Sequence, residues 1–449
     1  MNLVLTGERV LAETGRRLPG AQAEAFLLAS ESRNTEWSEG APENDALSQS
    51  QGLGLRVVHE GRLGFGYTNQ LTLDAVSAVV ERAAAGARLC AAEPLLEIPE
   101  SPKAASSPVE LQLVDPSLNL ASSESRASFL KEVEADVKRR DPRLAKVLRA
   151  SYREGRVRTA VVNNRGVRVS GEGTHVSFAL ACVAVEGSET QVGYGFQAVR
   201  HHADLKTGWV VDKTVEHTLS LLGGKQLPSG RYDLLLDPFV AAEILELIAS
   251  ALRADQVLKG KSFLGGRVGE SVGASCLDLI DDGRLLRGLG SSPYDAEGLP
   301  TQTTVLIRQG VLQGFLYDSY NARRAGKLSS GNAGRASYKS VPGPEETNFY
   351  LKPGTQSPET LVSSSRSGIY VRSVMGLHTV DVISGDFSLG VMGERIENGR
   401  RTHGVRGVTI AGNLLDLMKN VTAVGSDLIF SGSVGSPTLC IRDISVGGA

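Results

Sequence analysis

Hydrophobic and polar positions alternate along this chain with periods that change from segment to segment. Leu3, Val10 and Leu11 fall at helical spacing and predict a helix from Leu3 to Arg16. AEAFLLASES then predicts a strand within Ala21–Trp37. In GLGLRVVHEGRLGFGY, Gly52 to Tyr67, apolar residues alternate on either side of Glu60-Gly61, which is a hairpin signal. From Leu73 to Cys90, Val76, Val79, Val80 and Ala83 share one face of an amphipathic helix. Pro94 to Glu110 is rich in Pro and Ser and reads as a linker. A charged helix follows over Ser123–Arg140, ended by Asp141-Pro142. VRTAVVNN and VRVSGEG meet at Asn164-Arg165-Gly166, HVSFALACVAVEG alternates as a further long strand, and Leu205–Leu222 is again helical. In the last part, GRYDLLL predicts a strand that delivers Asp237-Pro238 into a helix over Phe239–Leu252. Beyond it, glycine-punctuated short strands continue to the end.

These elements predict an α+β protein. An N-terminal α/β domain covers 1–95, a linker 96–120, a middle α/β domain 121–225, and a large C-terminal domain rich in antiparallel sheet 226–449. The N-terminal hairpin and its small-residue helix face look too small a unit to bury their apolar residues, which predicts assembly with a second chain.

Composition narrows the function classes. With 41% hydrophobic and 22% charged residues the chain can build a core, and its 51 glycines favour tight turns. Lys+Arg 48 against Asp+Glu 50 leaves no basic excess, so direct nucleic-acid binding is not expected. The four cysteines, Cys90, Cys182, Cys276 and Cys440, form no CxxC pair. The N-terminus lacks the pattern of a secretory signal, and Glu243 and Glu246 interrupt the most apolar helix. The expectation is a cytoplasmic protein with reduced thiols and no membrane segment.

No short motif supplies a catalytic constellation. The seven histidines form no HExxH, and the adjacent His201 and His202 would point to opposite faces of a strand. GLG at Gly52–Gly54 precedes a strand and lacks the third glycine of a phosphate loop. Ser363–Ser365 and Ser367 read as a polar loop without a histidine. Asp281-Asp282-Gly283 reads as a capped acidic turn in preference to a paired-carboxylate site. Cys440, in PTLCIRD, reads as a buried small residue in preference to a nucleophile.

Longer segments carry a resemblance. SSPYDAEGLPTQTTVLIRQGVLQGFLYD (Ser291–Asp318), SGNAGR (Ser330–Arg335), TNFYLKPG (Thr347–Gly354), ISGDFSLGVMGERIENG (Ile383–Gly399) and VTIAGNLLDLMKNVTAVGSDL (Val408–Leu428) resemble the TldD/PmbA (TldD/TldE) family, as does GLGLRVVHEGRLGFGYTNQL near the start. The resemblance implies an N-terminal α/β domain, a middle domain and a sheet-rich C-terminal domain. It also implies a cytoplasmic two-chain metalloprotease that acts on unfolded or precursor peptides in an inner chamber. The catalytic subunit of that family carries HExxxH and a cysteine that hold one zinc, with the glutamate as general base. Here Asp237 stands for the first histidine, Pro238 for the glutamate and Ala242 for the second histidine, and the cysteine-bearing insertion is absent. Proline and alanine neither ligate metal nor move a proton. The resemblance therefore implies the TldE/PmbA branch: no catalytic residue and no cofactor in this chain, with zinc in a TldD-like partner.

Within the shared motifs, Arg335, Asn332, Asn348 and Asp386 are candidates for binding substrate or a partner. A turn-forming role for the asparagines and a structural ion pair for Arg335 are the alternatives. The partner expected is a TldD-like chain, otherwise a second copy of this one. Two further functions stay open: a stand-alone homodimeric metallopeptidase, and a non-enzymatic peptide-binding or gyrase-modulating protein.

Overall fold

The computed structural model describes residues 2–101, 110–118 and 123–449. Its first part contains α1 (Leu3–Arg17), β1 (Gln22–Ser38), β2 (Ala41–His59), β3 (Arg62–Thr68), α2 (Leu73–Leu89), α3 (Ser123–Arg140), β4 (Leu144–Asn163), β5 (Arg168–Glu186), β6 (Glu189–Val199) and α4 (Thr207–Ser220). The six strands form one antiparallel sheet in the order β3-β2-β1-β4-β5-β6. Glu24↔Asn163 through Trp37↔Ala150 pair β1 to β4, so the sheet runs unbroken from the N-terminal hairpins into the middle of the chain.

Side chains alternate between the two faces of this sheet. On one face, α1 and α2 cover Leu27, Leu53, Leu55 and Val57 at one end, and α3 and α4 cover Tyr152, Phe178 and Leu180 at the other. The expectation that the N-terminal hairpin leaves its apolar residues exposed is therefore corrected. Leu53, Leu55 and Val57 are buried within the chain, because β1 and β4 extend the sheet that α1 and α2 cover.

The chain continues through β7 (Gly230–Leu236), α5 (Pro238–Ala251), α6 (Ala254–Leu258), β8 (Leu279–Asp282), β9 (Thr303–Arg308), β10 (Val311–Leu312), α7 (Ser319–Arg324), β11 (Ala333–Gly334), β12 (Gly343–Pro344) and β13 (Phe349–Leu351). It ends through α8 (Pro358–Ser364), β14 (Ser367–Met375), β15 (Asp386–Glu397), β16 (Arg400–Asn413), α9 (Leu414–Lys419), β17 (Val421–Val424), β18 (Ile429–Ser431), β19 (Val434–Ser436) and β20 (Leu439–Gly447). Two further six-stranded sheets result, ordered β10-β9-β8-β13-β19-β18 and β16-β15-β14-β7-β20-β17. α5 packs between them. Its Val240, Ala241, Ile244, Leu245 and Ile248 join Leu234, Leu236, Phe349, Ile369 and Val434 in the largest core, which is why this helix is apolar nearly all round.

The two halves meet where the free face of the first sheet receives the 335–344 loop. Phe26, Val161 and Val167 pack against Tyr338. A Cβ at Gly52 would overlap the Tyr338 ring, and one at Gly54 would overlap the Tyr338 carbonyl oxygen. The GLG segment thus serves close backbone approach, not phosphate binding. Beside it, Arg56 Nη2 donates to Glu24 (2.8 Å) and to Glu297 (3.0 Å), and Arg335 donates to Glu24.

Four local expectations are corrected. VRVSGEG and HVSFALACVAVEG form one strand, β5. Part of the expected linker is built into the structure: Ile98 is fully buried, and Arg323 donates to the carbonyls of Leu95 and Glu97. Residues 102–109 of that segment lie outside the described residues. Ser363 and Ser364 end α8 instead of lying in a loop. Asp281 is a buried strand residue of β8, not a turn cap. Among the described residues no helix is long and apolar enough to cross a membrane.

Candidate functional site

The position implied for a metal lies at the β7–α5 junction. β7 runs parallel to β14 and ends as Asp237 N–H donates to the Val371 carbonyl (3.1 Å). Asp237 caps α5, accepting from Phe239 N–H at 3.1 Å, and Pro238 fills the first helical turn, where a missing N–H costs nothing.

The other oxygen of Asp237 is engaged as well. Arg372 Nη1 donates to Asp237 Oδ2 at 3.1 Å, and the Tyr370 hydroxyl donates to it at 3.3 Å. Arg372 also donates to Glu394 (2.9 Å) and to Glu216. Arg401 closes the network on Glu216 (2.9 Å) and Glu394 (3.4 Å). Both guanidiniums stack on the Tyr370 ring, at 4.6 and 5.0 Å from its centroid. Burial alone would raise Glu216, but the Arg372 guanidinium and the neighbouring cations outweigh it and draw it down to about 2. Burial drives the Tyr370 phenol upward, and the Asp237 charge adds to it, so its hydroxyl stays a donor.

Zinc does not fit these residues. The Asp237 carboxylate is committed to a guanidinium, a phenol and a backbone N–H. Pro238 offers no ligand, and Ala242 is buried in the core. Among the described residues no group of three or more His, Cys, Asp or Glu could hold a metal. Cys440 lies in β20 with Leu235, Tyr370 and Ile396, and burial raises its thiol.

A cavity of about 400 Å³ opens beside this junction, lined by Tyr194, Phe196, Lys213, His217, Phe239 and Glu243 among others. Burial lowers His217 and raises Glu243, so both favour their neutral forms. The walls are aromatic, with Lys213 and the Asp237–Arg372 ion pair as their charged groups. That suits holding a chain in place and supplies no activated nucleophile.

The other candidates are distributed elsewhere. Arg335 is corrected from a substrate-facing or interface residue to an internal ion pair. Its side chain is 1% exposed and bound to Glu24, with Nε donating to the Ala296 carbonyl (3.2 Å), Nη1 to that of Ser340 (3.0 Å), and the guanidinium 5.0 Å from the Phe26 ring centroid. Asn332 is buried and donates to Asp281 (2.6 Å) and to the Glu345 carbonyl (3.1 Å). Asn348 is buried, donates to the Asp282 carbonyl (2.6 Å) and Ser291 (2.8 Å), and accepts from Gly290 N–H (2.9 Å). Neither asparagine amide is free to bind a substrate. Asp386 is exposed and locally satisfied by Asn413 (2.8 Å) and Ser384 (2.8 Å). The residues that sequence reasoning missed are Arg372, Tyr370, Glu216, Glu394 and Arg401. Their one signal is an arginine inside the otherwise apolar strand GIYVRSVM.

Family models match in chain order: PmbA/TldA metallopeptidase domain 1 over residues 23–87, the central domain over 116–222 and the C-terminal domain over 229–448. The chain belongs to the PmbA/TldD metallopeptidase family. It is 33% identical over 319 residues to a metalloprotease of Methanothermobacter thermautotrophicus, covering 66% of this chain and 69% of that one. It is 25% identical over 410 residues to metalloprotease PmbA of Escherichia coli O157:H7, covering 91% and 88%. The fold matches TldE from Thermococcus kodakarensis with a TM-score of 0.87 at 20% identity, covering 98% of this chain and 99% of that one. As a PmbA/TldD-family chain it shares the family's three-domain α+β architecture.

Proposed function

We propose that this chain is the zinc-free, substrate-shaping subunit of a two-chain TldD/TldE-type metalloprotease that acts on unfolded or precursor peptides in the cytoplasm. The supporting observation is the Arg372–Asp237 ion pair, set between Tyr370, Glu216 and Glu394 at the positions where the family's catalytic motif would stand. A guanidinium supplies the positive charge there, and the carboxylates beside it, Asp237, Glu216 and Glu394, are bound to Arg372. Zinc and the hydrolytic step belong to a TldD-like partner. This chain contributes walls that exclude water and hold an extended peptide.

The test is reconstitution with a TldD-like chain. Cleavage of an unfolded peptide should require both chains. It should be abolished by changing the partner's metal motif and should survive Asp237→Asn here. Cleavage by this chain alone, lost on chelation and lost in Asp237→Asn, would overturn the reading.

A further inference from the structure

A second cavity of about 400 Å³ adjoins the first along the same two strands. It is lined by Gln197–Arg200 at the end of β6, by Ile429 and Phe430 of β18, and by the 285–289 loop. β6 and β18 are the outermost strands of their sheets. Trp209 in this cavity stacks on Phe239 of the first, with ring centroids 5.8 Å apart.

Its charge differs from the rest of the molecule. Arg200, Lys206 and Arg287 line it against one carboxylate, Asp204, whereas the whole chain carries a formal charge of -2. Arg287 is spoken for, bound to Asp204 (3.0 Å) and Gln112 (2.8 Å). The Lys206 ammonium stands exposed on the rim and forms no ion pair among the described residues, since Asp204 is taken by Arg287.

Arg200 is half-buried and, like Arg323 elsewhere, has carbonyls for partners. The buried guanidiniums of Arg56, Arg126, Arg335 and Arg372 each reach a carboxylate. Arg200 reaches only carbonyls: Gly288 (3.1 Å), Thr174 (3.2 Å), Ser291 (3.3 Å) and Leu289. Those bonds pin the 288–291 loop to the sheet, but a neutral donor could do the same. What they leave unanswered is a partly desolvated positive charge with no counter-charge, which an incoming carboxylate would compensate. Burial lowers this guanidinium to about 10, with no carboxylate opposing the shift.

We propose that this second cavity binds the carboxylate of an aspartate or glutamate side chain on an extended peptide that continues into the cavity beside Asp237. A side chain fits better than a chain end, because the adjoining cavity gives the peptide room to run on. Arg200 supplies the fixed charge behind the wall, Lys206 the mobile contact at the rim, and Trp209 and Phe430 the apolar sides. The proposal rests on the substrate-shaping reading and names the chemistry of the peptide it shapes.

The experiment measures binding of short fluorescent peptides, acetylated and amidated, to the isolated full-length chain by anisotropy. The peptides differ at one central residue: Glu, Gln or Lys. The Glu peptide should bind about tenfold tighter than the Gln peptide, a difference of about 1.4 kcal/mol. The preference should shrink as salt rises from about 0.05 to about 0.3 M. It should disappear in Lys206→Glu and persist in Lys206→Arg, with unchanged melting temperatures showing that both variants fold. Equal binding of Glu and Gln peptides, or none at all, would overturn the site. So would a Gln peptide with a free C-terminus matching the Glu peptide, since the carboxylate would then be the chain end. If no peptide binds while the two-chain enzyme still needs this subunit, the carboxylate site falls and the subunit reading stands.

Discussion

Replacing Arg372 by methionine tests the ion-pair network around Asp237. The Arg372 side chain is 3% exposed and touches three carboxylates, Asp237, Glu216 and Glu394. Methionine keeps most of the volume and stacks on Tyr370 but removes the charge. Arg401 still reaches Glu216 (2.9 Å) and Glu394 (3.4 Å), so those two carboxylates remain partly compensated. Asp237 does not, since its only other side-chain partner among the described residues is the Tyr370 hydroxyl at 3.3 Å. Removing one partner of a buried ion pair costs about 3–5 kcal/mol, and the help from Arg401 places this variant near the lower figure. For a domain of this size, a loss of about 3 kcal/mol lowers the melting temperature by about 6–12 °C. Asp237→Asn keeps the helix cap and leaves Arg372 its other two partners, so alone it should cost about 1 kcal/mol. In the double variant the orphaned charge is gone, and adding Asp237→Asn should recover about 1–2 kcal/mol of the Arg372→Met loss. Calorimetric melting of all four proteins gives the cycle. Additivity within about 0.5 kcal/mol would refute the coupling. Acid titration gives an independent reading. Because the folded Glu216 is drawn down to about 2, its contribution is present above the ordinary carboxylate range and is lost as pH falls toward 2. That acid-side loss should be smaller in Arg372→Met.

Arg335→Ala should lower the melting temperature, by about 3–5 kcal/mol of stability, and leave turnover per folded two-chain complex unchanged. Lower turnover at full stability would restore a substrate role. Gly54→Ala drives a Cβ into the Tyr338 carbonyl and should cost about 1–3 kcal/mol by lifting the 335–344 loop, read as a lower melting temperature. Burial raises Asp281 to about 7 and, with the Glu297 charge adding to it, Asp318 to about 6. Both groups therefore stabilise the fold in their protonated forms, and that contribution is lost as pH rises through those values. Asp318→Asn should flatten the part of the stability profile near pH 6; an unchanged profile would refute the assignment.

Much of the fold is legible because the sequence obeys simple periods where packing is simple. The α2 face of Val76, Val79, Val80 and Ala83 is buried as its spacing predicts, and Asp237-Pro238 starts α5. The start of β4 is not legible. Register shifts between Leu144 and Lys146 and between Val147 and Arg149 break its alternation. The first half of β2, PENDALSQSQ, has no apolar pattern because it is largely exposed and held by backbone pairing to β1. Asp281 looks like a turn because two acids precede a glycine. Its burial depends on Asn332 and Thr347, which lie about 50–65 residues further along the chain. The site divides in the same way. That Pro238 and Ala242 can neither ligate a metal nor move a proton can be read directly. Arg372, Glu216, Glu394 and Arg401 come from separate strands and a helix, and only tertiary structure brings them together. Arg335 misleads for the converse reason: a charge after a glycine-rich turn reads as one that meets substrate or a partner, but its counter-ion Glu24 is supplied by β1.

Zinc stoichiometry decides whether this chain holds a catalytic metal. The protein should be purified alone and in complex with a TldD-like chain, dialysed against trace zinc, and assayed by elemental analysis. The isolated chain should hold no stoichiometric zinc and the heterodimer about one, retained when Asp237 is changed and lost when the partner's motif is changed. About one tightly held zinc per isolated chain, released by Asp237→Ala, would overturn the zinc-free subunit reading.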